Sequence, residues 1–206
     1  FAGGLVAGFP VGMVLRNVLP VVLIGGVIAF GLWKAEKWMV KGFGWFGKGV
    51  VALITAGLAA AIVKALTGFT LIPGMVAIEE GFLTVGAIAI VLAGAFPLVW
   101  VLTRVLRKPL LKVGKLLGIN DTAAAGLLAT LANSIATFGM VKDMDDRGKV
   151  VNIAFAVSAA FVFGDHLGFT AGFAPQMLPA MIIGKLAGGV SAVAVALLLT
   201  RKENAR

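Results

Sequence analysis

What most constrains this chain is a set of uncharged apolar stretches about as long as a lipid bilayer is thick. Residues 17–33, 81–103, 122–141 and 167–184 contain no Asp, Glu, Lys or Arg. A helix needs roughly 20 mostly apolar residues to cross about 30 Å of hydrocarbon, so each stretch is near the length of a span. The ten-residue alternation of polar and apolar positions expected of membrane strands is absent. Composition points the same way: 60% of the 206 residues are hydrophobic and 13% are charged. A soluble domain of this size needs more polar surface. The sequence therefore predicts an all-α, polytopic transmembrane helical protein whose surroundings are the lipid bilayer.

The net charge of +9 does not point to nucleic acid. Lys and Arg sit in short clusters between apolar runs, the usual signature of cytoplasmic loops, and not on one amphipathic face. With no cysteine and a single histidine, there is no ligand set for a dedicated metal centre, and no metal or cofactor is expected. The chain opens at Phe1 in an already apolar run, without an initiator Met or a basic leader, and reads as a fragment lacking its N-terminal part.

Residues 1–15, with Gly3, Gly4, Gly8 and Gly12, read as the end of a span suited to close packing and closed by Arg16. A second span is expected over 17–33. The linker 34–48 interleaves Lys34, Lys37, Lys41 and Lys48 with Trp38 and Trp45, which marks an interfacial cytoplasmic segment. A third span covers about 49–66, with Lys64 snorkelling near its end. An irregular external connection leads from Thr67 to Glu79 and Glu80. A fourth span, 81–103, delivers the chain to Arg104, Arg107, Lys108, Lys112 and Lys115, the densest basic cluster. Residues 1–103 read as scaffold spans and 121–200 as a hairpin and broken-span unit, all within one transmembrane domain, 1–206.

Charge bookkeeping decides how 122–141 is read. If it crossed, the loop with Lys142, Arg147 and Lys149 and the C-terminal Arg201, Lys202 and Arg206 would lie outside. If it enters and leaves on one side as a re-entrant helical hairpin, both basic segments are cytoplasmic, as the positive-inside rule prefers. Asn133 and Ser134 interrupt the run at its centre, and both favour caps and turns over helix interiors. Irregular backbone at membrane depth is tolerated only where protein or a water-filled cavity satisfies it, so a hairpin tip would turn polar groups inward. The alternative is a continuous helix in which Asn133 bonds a neighbouring helix. The second irregularity is expected at Gly164–Gly168. The apolar run 150–164 reaches only about 22 Å, less than the hydrocarbon core, so the helix breaks there or carries Asp165 and His166 into the membrane.

Ionisable residues inside a membrane are costly and mark solute or ion paths. Here they are Asp165, His166 and Lys185. Measured from the turn near 172–175, Asp165 lies about 11 Å deep and Lys185 about 14 Å, on consecutive antiparallel helices. They either pair as a structural ion pair, or Asp165 serves as anionic partner of a cationic solute with His166 as hydrogen-bond partner or proton carrier. Thr130, Asn133 and Ser134 offer uncharged groups for a hydroxyl, though each also suits a helix-packing contact. Of the phenylalanines between Phe138 and Phe173, one or two over a cavity would add a cation–π contact of about 0.5–2 kcal/mol. No catalytic residues are assigned. Adjacent Asp165 and His166 cannot orient each other toward Ser134 or Ser158 as a triad requires, and a metalloprotease needs more ligands than one histidine. A solute carrier, an ion channel and a structural membrane subunit remain.

The segments Ala123–Gly126, Thr130–Ser134, Phe138–Met140, Arg147–Val150 and Ala154–Ala160 resemble the ethanolamine-utilisation permease family, EutH. So do Gly164–Phe169 (Gly-Asp-His-Leu-Gly-Phe, the most specific part) and Gly184–Val190, and, earlier in the chain, Val51–Thr55, Leu71–Gly74 and Lys108–Leu110. The resemblance implies uptake of ethanolamine across the bacterial inner membrane, as a permease and not an enzyme. Members are about twice this length, so the chain resembles their C-terminal half. The missing N-terminal half of the same protein is then a partner, holding a related unit in inverted orientation. A homo-oligomer is left open. Ethanolamine, a protonated amine with a hydroxyl two carbons away, suits one carboxylate, neutral hydrogen-bonding groups and an aromatic wall.

Overall fold

A computed structural model describes residues 1–200, leaving out the side chains at 95–96, 98–99, 102–103, 106–107 and 110. The terminal Arg201, Lys202 and Arg206, expected to be cytoplasmic, lie outside the described residues. Among those described, every regular element is helical: α1 Ala2–Val6, α2 Val11–Thr67, α3 Ile78–Leu117, α4 Asp121–Ala132, α5 Ser134–Met140, α6 Asp146–Ala159, α7 Asp165–Phe173 and α8 Leu178–Thr200, with short 3-10 turns at Val141–Asp143 and Pro175–Met177. Val11–Thr67 and Pro175–Thr200 are long and apolar enough to cross a membrane. This is a helical membrane protein.

The chain divides into two compact units, Val11–Leu83 and Phe1–Pro10 with the chain from Thr84 on. In the first, α2 would be about 85 Å long if straight, nearly three hydrocarbon thicknesses. It is not straight. Ala35 leaves helical geometry (φ −143°, ψ 44°). The Met39 sulfur stands 2.9 Å from where a Cβ on Gly31 would lie, although residues eight apart on a straight helix are separated by about 12 Å. Nothing local announces this bend, since Ala is the best helix former. Two expectations are corrected here. Arg16 closes no span, because the break falls earlier, between α1 and α2 at residues 7–10, where Gly8 takes φ 82°. The segment 34–48 is not a loop linker but helix on either side of the Ala35 bend. Lys64 donates to the Met75 carbonyl at 2.9 Å, tying down the connection to α3. Within α2 only Val14 and Ala60 are buried, the exposure expected of a lipid-facing helix.

Helix α3 carries the expected span and the basic cluster as one element through Pro97 and Pro109, with Glu79 and Glu80 in its first turn, where the helix dipole favours acids. After it comes the hairpin. The Thr137 hydroxyl donates to the Gly126 carbonyl at 3.0 Å. A continuous helix would hold residues eleven apart at about 16 Å, so the chain has folded back and the continuous-helix alternative is excluded. Asn133 is the hinge, extended at φ −157° and ψ 118°, and its side-chain oxygen caps α5 through the Ile135 N–H. The two ends of the hairpin meet. The Asn120 amide nitrogen donates to the Asp143 carbonyl at 3.0 Å, and the Asn120 backbone N–H to an Asp145 carboxylate oxygen at 2.8 Å. A segment whose ends bond each other leaves on the side it entered.

Asp145 also caps α6 through the Gly148 N–H, so α4 and α6 start at one level. They run side by side in the same direction. Asn152, fully buried, donates to the Ala123 and Gly148 carbonyls at 2.9 Å each. Helix α8 returns antiparallel to α6, its Gly188 and Gly189 packed on Ser158, Ala159 and the Phe155 ring. Its Gly184 is in contact with Gly3 of α1, whose fit against the Ala180 carbonyl also leaves no room for a side chain at residue 3. Small residues permit these approaches, as helix packing in lipid requires. The core beneath the hairpin entrance is Ile119, Ala123, Met144, Val151 and Ala196.

Candidate functional site

From their shared starting level, the 12 residues of α4 rise about 18 Å and the 14 residues of α6 about 21 Å, near or past the middle of a bilayer core. Both helices stop there, and their broken ends satisfy one another. The Phe161 N–H donates to the Thr130 carbonyl at 3.1 Å and the Phe163 N–H to the Leu131 carbonyl at 2.8 Å. The last carbonyls of α4, which have no partner within their own helix, thereby receive donors from the loop 160–164. Gly164 lies against the Ala132 carbonyl so closely that a Cβ would overlap it. The break therefore precedes the two glycines and does not fall between them. Gly164 ends the irregular segment, whereas Gly168 sits inside α7 and packs against Ile88.

The Gly164–Ala132 contact sets Asp165 and Asn133, the next residue on each strand, one residue from the crossing. Asp165 opens α7 and is exposed on this chain. Its carboxylate has no hydrogen bond or ion pair among the described residues. The alternative of an Asp165–Lys185 ion pair is thus not realised. The Lys185 backbone carbonyl accepts from the Ser158 hydroxyl at 3.1 Å, which occupies the second serine weighed for a triad. The His166 ring lies beside Phe161, centroids 5.6 Å apart and tilted by 54°.

Among the uncharged candidates, the Asn133 amide nitrogen and the Ser134 hydroxyl have no hydrogen-bond partner among the described residues. Thr130 is different. Fully buried, its hydroxyl bonds that of Thr137 at 2.8 Å and locks the two arms of the hairpin. The structure therefore sets Asn133 and Ser134 just past one side of the Gly164–Ala132 contact and Asp165 and His166 just past the other, places the Lys185 backbone beside Ser158, and puts Thr130 to structural use. A carboxylate pairs with a cation, and an imidazole, an amide and a hydroxyl can each hydrogen-bond a neutral polar group. No group of three or more His, Cys, Asp or Glu side chains that could hold a metal occurs among the described residues.

Cavities among the described residues lie elsewhere. A groove of about 630 Å³ between α3 and α4, with the Arg104 guanidinium 4.8 Å above the Trp100 ring at one end, is lined by none of the six candidates. A smaller one of about 340 Å³ is lined by Phe169, Thr170 and Phe173 of α7, one to two turns from His166.

Sequence reasoning passed over Thr137 and Asn152 and, at Phe161, counted the ring among the aromatic candidates but not the backbone conformation. Phe161 occupies the left-handed region (φ 60°), which is strained for a bulky side chain, and no propensity foretells it. Thr137 is invisible until the hairpin folds. Asn152 did carry a signal: it interrupts an apolar run just as Asn133 does.

A helical membrane protein with a re-entrant hairpin crossing a broken helix is the class these features define. A family model described as "Ethanolamine utilisation protein, EutH" matches residues 1–199. The chain belongs to that family. It is 58% identical over 200 residues to a Listeria monocytogenes serotype 1/2a (strain 10403S) protein named "Probable ethanolamine permease EutH", covering 97% of this chain and 54% of that protein. It is 51% identical over 204 residues to "Uncharacterized protein YxeR" of Bacillus subtilis (strain 168), covering 99% and 55%. It is 49% identical over 227 residues to the "Probable ethanolamine permease EutH" of Escherichia coli (strain K12), covering 99% and 56%. The chain thus spans about half the length of the relatives it matches. No solved structure matches it significantly.

Proposed function

We propose that this chain forms part of a permease, not an enzyme, that takes up ethanolamine across the bacterial inner membrane, with the solute held where the hairpin tip crosses the broken helix. The observation that carries the reading is the unpartnered Asp165 carboxylate one residue from that crossing. A carboxylate at membrane depth is expensive unless paired, and a protonated amine is the counter-ion that pairs with it only while being transported. In this reading Asp165 takes the ammonium, Asn133 and Ser134 take the hydroxyl, and His166 against Phe161 closes one wall, while Lys185 leaves the carboxylate free. Thr130 holds the hairpin shut behind them. The remaining half of the relatives' length supplies the opposite wall, as in transporters built from inverted repeats.

Uptake of labelled ethanolamine into proteoliposomes of the full-length protein tests this. Asp165→Asn abolishes uptake while the protein stays monodisperse. Uptake by that variant with wild-type affinity overturns the assignment.

A further inference from the structure

Between the bend at Ala35 and the third apolar run, α2 presents a face that the transport reading leaves unused. At 3.6 residues per turn, Lys37, Trp38, Lys41, Trp45 and Lys48 fall within an arc of about 100°, and Glu36 falls on the opposite side. The ammonium groups are set against indole rings: Lys41 lies 5.9 Å from the Trp38 centroid and Lys48 lies 5.2 Å from that of Trp45. Just before the bend, Lys34 repeats the pairing over Trp33 at 4.2 Å. Trp38 and Trp45 are 76% and 66% exposed, far more than an indole keeps in water without a purpose. None of these lysines has a carboxylate within ion-pair distance among the described residues, and Glu36 is the single acid between Arg16 and Glu79. Apolar runs of span length flank the face on both sides, which places it at the membrane boundary.

We propose that this Lys–Trp face of α2 is a binding surface for anionic phospholipid headgroups. The indole rings fit the headgroup region with one edge apolar and one edge wet. Stacked beside them, the ammonium groups are held at phosphate level, where an anionic surface supplies a counter-ion that the described residues do not. Each lysine so placed favours anionic over zwitterionic lipid roughly fivefold at low salt. The inference does not depend on which solute the protein carries.

The test uses full-length protein carrying Trp33→Phe and Trp100→Phe, so that within this chain the indole signal comes from Trp38 and Trp45. It is reconstituted in phosphatidylcholine vesicles doped with either brominated phosphatidylglycerol or brominated phosphatidylcholine. The expected result is markedly stronger quenching by the brominated phosphatidylglycerol, an excess that Lys37→Gln/Lys41→Gln/Lys48→Gln removes and Lys108→Gln/Lys112→Gln/Lys115→Gln leaves in place. Size-exclusion monodispersity and unchanged quenching by brominated phosphatidylcholine show that the triple variant is folded. Equal quenching by both lipids in the parent protein overturns the proposal, as does an excess that survives in the first triple variant or vanishes in the second. Loss of the excess on adding inorganic phosphate at constant ionic strength also overturns it, because the surface would then bind free phosphate.

Discussion

Gly164→Ala bears most directly on the crossing of the two breaks. The added methyl would overlap the Ala132 carbonyl oxygen, a backbone atom that no rotamer change can move aside. Relief requires the loop 160–164 to lift from the end of α4, which breaks the Phe161 N–H bond to Thr130 and the Phe163 N–H bond to Leu131. Each buried group left unpaired costs about 1–3 kcal/mol, so two broken bonds cost roughly 2–6 kcal/mol. For a protein of this size that lowers the melting midpoint by roughly 5 °C or more. The control is Gly139→Ala on α5, where a Cβ meets nothing within 4 Å. It should instead stabilise by about 0.5–1 kcal/mol, because alanine loses less backbone entropy in a helix. Melting by intrinsic fluorescence in detergent, with ethanolamine uptake measured in parallel, reads both. A Gly164→Ala protein that melts with the wild type and transports normally would refute the crossing, because the contact could not then exist as described.

Three further outcomes follow from the same geometry. At Phe161, held at φ 60°, Phe161→Gly relieves about 1–2 kcal/mol of left-handed strain and should be at least as stable as Phe161→Leu, although it buries less; the opposite order in thermal melts would show that strain is absent. Asp145→Ala removes the cap of α6 and the acceptor of the Asn120 N–H together, and should cost about 2–3 kcal/mol and speed hydrogen exchange at residues 120–123 and 146–148, whereas unchanged exchange there would disconnect the two helix starts. Asp146, fully exposed, has its carboxyl pKa lowered by the hydrogen bond and charge of Lys149. A lowered folded-state pKa means the pair's contribution is present above the ordinary carboxylate range and is lost as pH falls through the lowered value. Asp146→Asn should therefore lower stability slightly at neutral pH and converge on the wild type in acid, below the lowered value, and a difference that persists unchanged in acid would contradict the pairing.

The solvent and the class were legible in residue pattern alone. Uncharged runs such as 81–103 and 167–184 have one low-energy environment, and their polar backbone groups are satisfied there by helix. That pattern also identified the hairpin, because Asn133 and Ser134 sit where a continuous span would have to bury them, and because basic residues on both flanks resist being placed on opposite sides. Asp165, His166 and Lys185 stood out for the same reason, as charges in an apolar run. Helix boundaries were less legible. Arg16 looks like a stop and is not, because its long side chain can reach water from within a helix. The bend at Ala35 lies in a residue whose propensity argues for continuing. Which residues meet was settled by packing between elements far apart in the chain. Residues 130–132 and 161–164 lie some thirty positions apart, and their contact depends on two helices starting at one Asp145 and rising by similar lengths. That register spent the Thr130 hydroxyl on Thr137, left Asp165 without Lys185, and brought Phe161 into a conformation its own chemistry disfavours. Local pattern records what each residue prefers, whereas non-local packing decides which preferences yield, and in this protein they yield where the two breaks cross.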